Sequence, residues 1–114
     1  MPVVKLETNT RIPEEKAGKL RQGLLAAVAG ATGVPTADFR VELAGDRKMR
    51  MADSDEPIAH VEIKDLDLPK DQAPKLTQAV CPVLDGMLGI RDNRVYIAVI
   101  STRSSMWRVN GNVS

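Results

Sequence analysis

A chain of 114 residues, 43% of them hydrophobic, is one domain of ordinary size with enough apolar material for a core, which excludes disorder. Sixteen basic residues interspersed with fifteen acidic ones leave a net charge of +1, and no long basic run exists to hold nucleic acid or an anionic membrane. Phe39, Tyr96 and Trp107 are too few aromatics for a large aromatic binding surface, and a single cysteine, Cys81, excludes an intrachain disulfide or a thiolate metal cluster.

The chain opens Met1-Pro2-Val3-Val4-Lys5, without the long apolar core of a secretory signal. No apolar run approaches the roughly 20 residues needed to cross a bilayer, so the expected location is the cytoplasm. Val4, Leu6 and Thr8 then fall on one side of a first strand. Ala17, Leu20, Leu24, Val28 and Ala31 follow at helical spacing, with Pro13 as starter and Gly33 as stop. The polar turn from Gly33 to Asp38 leads to a second strand around Val41.

The same pattern then repeats. Pro57-Ile58-Ala59-His60-Val61-Glu62-Ile63 matches Pro2 to Thr8, and each segment has Pro first and Glu six positions in. Ala59, Val61 and Ile63 share one side of this strand. Leu76, Val80, Val83, Leu84, Met87 and Leu88 draw a second helical stripe that ends at Gly89. Pro82 lies inside it and predicts a kink or a division, because it removes one helix hydrogen bond. A last strand starts near Val95.

Two β-α-β units with right-handed crossovers predict an α+β fold: a four-stranded mixed sheet with both helices on one face, in a single domain over residues 1–114. Val95 to Ile100 is apolar at both parities, the pattern of a strand buried on both sides. Two helices cover only one side, so the pattern predicts a second copy of the chain against the other.

Several features now coincide. They are Met1-Pro2, Thr8-Asn9, Ala31-Thr32-Gly33, Met49 and Glu56-Pro57. Further on stand Cys81, Leu88-Gly89-Ile90, Arg94-Val95-Tyr96-Ile97, Trp107 and Asn110-Gly111. In this order and spacing, over nearly the full length, the chain resembles the macrophage migration inhibitory factor family of the tautomerase superfamily. The resemblance implies a homotrimer whose sheets wrap a central channel, with active sites between adjacent subunits. It implies a keto–enol tautomerase, active on phenylpyruvate-like substrates, that needs no cofactor or metal. The amino-terminal Pro2, once freed of Met1, is its base. Burial in an apolar pocket lowers the proton affinity of such an amine, and the neutral form takes a proton from a carbon beside a carbonyl.

By the same resemblance, the Leu66 N–H stabilises the enolate, and Tyr96 and Trp107 stand at the substrate. Val34 replaces the family's active-site lysine, and Ala98 its usual asparagine. Val109, Val113 and Met51 stand where pocket aromatics are usual. Ile58 and Val61 replace the vertebrate Cys-X-X-Cys, which removes thiol–disulfide chemistry. Arg108 replaces a glycine. With Arg103 it is placed to hold a substrate carboxylate, which favours a small aliphatic 2-keto acid. Two other readings stay open. One is an interaction protein, a trimer with vestigial catalysis that binds a protein receptor, as the family's cytokines secreted without a signal peptide do. The other is hydration or decarboxylation of a small acid at the same site.

Overall fold

A computed structural model of the chain describes residues 2–103, Met106, and the main chain of residues 108–109 and 112–113. Its strands are β1 (Val3–Thr8), β2 (Arg40–Ala44), β3 (Ala59–Leu66) and β4 (Val95–Thr102), followed by the short β5 (Arg108–Val109) and β6 (Asn112–Val113). Helix α1 (Glu14–Thr32) joins β1 to β2, and α2 (Gln72–Leu88) joins β3 to β4. The sheet order is β2-β1-β3-β4. Each unit's two strands are parallel, as the crossover rule requires, and the units meet where β1 runs antiparallel to β3.

Alternation along the strands decides what is buried. Val4, Leu6 and Thr8 of β1 and Ala59, Val61 and Ile63 of β3 point to one face and are almost wholly buried. Leu20, Leu24 and Val28 of α1 and Leu76, Val80 and Leu84 of α2 close over them in one continuous core. Each helix ends at a glycine in the left-handed conformation, Gly33 at φ 77° and Gly89 at φ 67°. The N–H of Gly33 returns to Ala29 O at 2.7 Å, and that of Ile90 to Leu84 O at 3.3 Å, so the last turns keep their carbonyls satisfied.

Pro82 does not divide α2, which runs unbroken from Gln72 to Leu88. Its exposed position explains this, because the carbonyl it leaves without a helix donor lies on the solvent side. Within one chain the helices cover β4 on one side only, as the sequence pattern expects. Val95, Ile97 and Val99 pack partly against the core, whereas Tyr96 is 58% exposed on the opposite face. That open face is largely charged. Lys5 pairs with Glu7 at 3.3 Å, Arg40 with Glu42 at 2.7 Å and Lys64 with Glu62 at 3.8 Å. Three cations and three carboxylates cancel, and at this exposure each pair contributes little to stability.

The long connection from β2 to β3 carries little regular structure, so side chains must satisfy its main chain. Asn9 accepts from the Ile58 N–H at 2.8 Å and donates to the carbonyls of Asp55 and Glu56. The Thr8 hydroxyl donates to Ile58 O at 2.6 Å. From the other side, Arg94 sends its guanidinium to the carbonyls of Met51 (2.7 Å), Ser54 (3.0 Å), Glu56 (2.9 Å) and, more weakly, Pro57 (3.4 Å). Arg94 is 9% exposed, and all four acceptors are main-chain oxygens.

Lysine lacks the planar fork that spreads over these carbonyls. Arg94→Lys is therefore expected to cost about 2 kcal/mol and to open residues 45–58 to protease. An unchanged urea midpoint and digestion pattern would refute that role. Cys81 is nearly buried, and burial, with the charge of Asp92 second, pushes its thiol above its ordinary pKa. Its contribution to stability is present below the ordinary thiol pKa and is lost as pH rises through the raised one. At pH 8 the folded protein should react with a thiol reagent far more slowly than the unfolded chain. Equal rates would contradict the packing.

Candidate active site at the Pro2 end of the sheet

The topology gathers several chain segments at one end of the sheet. β1 and β2 both begin there, and α1 ends there after running back over β1. β3 and β4 also end there, and α2 begins beside them. Pro2 is buried at this end, and its carbonyl accepts from the Arg40 N–H at 2.9 Å, which ties it to the start of β2. Gln72 joins the two helices, donating from Nε2 to Ala31 O at 2.6 Å.

Of the residues expected at the substrate, Val34 and Leu66 come to this end. Val34 is half-buried just past α1, and its N–H donates to Thr32 Oγ1 at 3.3 Å. Leu66 is the half-buried last residue of β3, and its N–H donates to Asp65 Oδ1 at 2.7 Å. The donor expected to meet an enolate is thus already engaged. Tyr96 lies at the other end of the same sheet. Asp65 pairs with Ser101, and Tyr96 is five residues before Ser101, which is about 17 Å along the strand. Tyr96 therefore reaches a Pro2 site only if it comes from a second copy. Trp107 and the side chain of Arg108 lie outside the described residues, and Arg103 is exposed.

An open cleft of about 640 Å³ lies on the charged face at this end of the sheet, lined by Val3, which follows Pro2, and by Arg40, Glu42, Lys64, Ile100, Thr102 and Met106. Lys64 and Arg40 sit on either side of Val3 in the register. Both already have a glutamate partner, so the cleft offers cations of moderated strength. A second cleft of about 520 Å³ lies at the far end, where Asn9 meets Arg47, Lys48, Met49, Arg50 and Asp55. It shares no residue with the first.

His60 is half-buried on the open face beside Tyr96, remote from Pro2. Among the described residues, no group of three His, Cys, Asp or Glu side chains could hold a metal ion, and no helix is long and apolar enough to cross a membrane. The side chains that sequence reasoning did not single out here are Asp65, Lys64 and Arg40. Asp65 had a signal, since the alternation Ala59, Val61, Ile63 continued by one step places it inward.

Comparison with known proteins fits this geometry. A search of curated proteins returns no match. Solved structures do match in fold. A macrophage migration inhibitory factor homologue from Prochlorococcus marinus superposes with a TM-score of 0.89 at 23% identity, covering 96% of each chain. The macrophage migration inhibitory factor of Toxoplasma gondii gives 0.90 at 19% identity, covering 98% of this chain and 99% of its own. A structure of Pt0534 inactivated by 2-oxo-3-pentynoate gives 0.85 at 19% identity, covering 98% and 94%. At these identities the likeness establishes the fold. The sequence model of the macrophage migration inhibitory factor (MIF) family matches residues 1–114, and the chain belongs to that family.

Proposed function

We propose that the chain is a cofactor-independent keto–enol tautomerase of small 2-keto acids, working as a homotrimer with the Pro2 amine as its base. The position of Pro2 carries this reading. It is buried immediately before a central strand, at the end of the sheet where Val3, Lys64 and Arg40 line an open cleft. Removal of Met1 makes its nitrogen a secondary amine, and its burial lowers the proton affinity of that amine. That nitrogen takes a proton from the carbon next to the substrate carbonyl and returns it to the other end of the enol.

Two observations support the trimer. The helices leave one sheet face uncovered, and Tyr96 is about 17 Å along the sheet from the Pro2 end. Small acids are favoured over phenylpyruvate because Val109, Val113 and Met51 stand where pocket aromatics are usual in the family, while Lys64 and Arg40 border the cleft. The inactivation of Pt0534 by an acetylenic 2-keto acid points the same way.

Intact mass should show Met1 gone. The wild-type protein should then ketonise the enol of a 2-keto acid, and Pro2→Ala should lose at least 100-fold in kcat/KM, the lower range for a positioned general base. Absence of turnover on any 2-keto acid, with Met1 removed and the trimer intact, would end the enzyme reading and favour the protein-binding one. The free amine should also add across the triple bond of 2-oxo-3-pentynoate. The N–C bond forms at the alkyne carbon distal to the carbonyl, and the amine proton passes to the nearer carbon. Digestion should place this label on the Pro2 peptide. Arg108→Ala should raise KM for acidic substrates several-fold with kcat little changed, whereas an unaltered KM removes Arg108 from the site.

A further inference from the structure

Pro2 has a charged cross-strand neighbour. The β1–β3 register pairs Val3 with Lys64, Val4 with Ile63, and so on to Thr8 with Ala59. Continued one residue past Val3, it sets Pro2 opposite Asp65. Both fall on the helix-facing side. Pro2 is buried and Asp65 is 8% exposed. Directly opposed residues of an antiparallel pair hold their Cα atoms about 5 Å apart, which brings the Pro2 nitrogen, a main-chain atom, within reach of the Asp65 side chain. The Asp65 carboxylate is also oriented, because its Oδ1 accepts from the Leu66 N–H at 2.7 Å.

Among the described residues, the other charges at this end are turned away from this spot. Lys64, Arg40 and Lys5 stand on the open face, each within 4 Å of a glutamate there. Asp38, Asp67 and Arg103 are exposed at the periphery. The buried side chains that α1 and α2 bring over the sheet are Leu20, Leu24, Val28, Leu76, Val80 and Leu84, with the neutral Gln72 and with Cys81. Arg94, the other buried charge, serves the connection at the far end of the sheet. Among the described residues, Asp65 is thus the one buried acid or base at the Pro2 end.

We propose that Asp65 is the counter-charge of the free Pro2 amine, holding it protonated to higher pH and so setting the pH range in which Pro2 gives or takes a proton. This rests on the reading of Pro2 as a free amine. An opposite charge at such a distance favours the charged form and works against the desolvation that would keep the amine neutral. The protonated amine is the form that acts on an enol. Its N–H bond breaks as a C–H bond forms on the enol carbon, the hydroxyl proton leaves to water, and the carbonyl is made. The amine then takes a proton back from solvent. Asp65 acts through Pro2 and does not touch the substrate.

The test is an NMR titration of the amine in protein labelled with [15N]proline, after intact mass has established that Met1 is absent. Wild type is compared with Asp65→Asn and Asp65→Ser, both of which keep an oxygen for the Leu66 N–H. The midpoint should fall by roughly 1 to 3 pH units in each variant, and the pH limb of kcat/KM should move with it. An unchanged midpoint in folded variants overturns the role of Asp65 and leaves the base reading of Pro2 standing. A retained Met1 overturns both. If neither variant folds, the wild-type midpoint decides. A value above the ordinary α-amino range of about 7.7–8.0 supports the pair, and one within or below that range overturns it.

Discussion

The antiparallel pairing of β1 with β3 is the contact on which the rest of the structure depends. Among the described residues, it is the strand pairing that joins the two β-α-β units into one sheet. Its register aligns Val4 with Ile63 and Leu6 with Val61, so both units present their apolar sides in the same direction. One core beneath two helices follows from that alignment. A slip of one residue would turn Lys64, Glu62 and His60 inward against the leucines of α1 and α2, at a cost no compact state could bear. The same register leaves Lys5, Arg40 and Lys64 outside and places Asp65 inside, across from Pro2.

Much of this fold was legible because it is periodic. The alternation in β1 and β3 and the stripes of α1 and α2 were readable, with Pro13, Gly33 and Gly89 as punctuation, because each depends on neighbours a few residues away. Pro82 was legible as the loss of one helix hydrogen bond, but whether it divides the helix depends on which side faces water. Val95 to Ile100 was legible as a strand with one face left for a second copy, whereas the charge on that face comes from strands elsewhere in the chain. Arg94 was visible as part of a family pattern without its role. Its acceptors lie 37 to 43 residues earlier, in a connection with no period of its own.

The candidate site was legible in part. Pro2 and Leu66 were expected together and do share one end of the sheet, with Val34 beside them. That Tyr96 stands at the opposite end depends on strand length and pairing. The engagement of the Leu66 N–H by Asp65 depends on a rotamer, which composition and spacing do not encode. Family membership accounts for the framework, and Val34, Ala98 and the buried Asp65 bear on what this chain does with it.

The hold that Asn9 and Arg94 exert on residues 51–58 has a consequence in time. Asn9 follows directly on the first strand of the chain, and Arg94 belongs to the turn before its last long one. The sequence separations are up to 49 residues on one side and 43 on the other. The connection thus acquires its full set of partners only when nearly the whole chain has been made and β4 has docked. Although the two units resemble each other, neither holds the means to complete itself. A chain still emerging from the ribosome would carry its first unit with this segment solvated, and the segment would be the last to settle. Contacts of such separation are the slow ones in folding. The duplication visible in the sequence is therefore architectural and does not divide the protein into two separable halves.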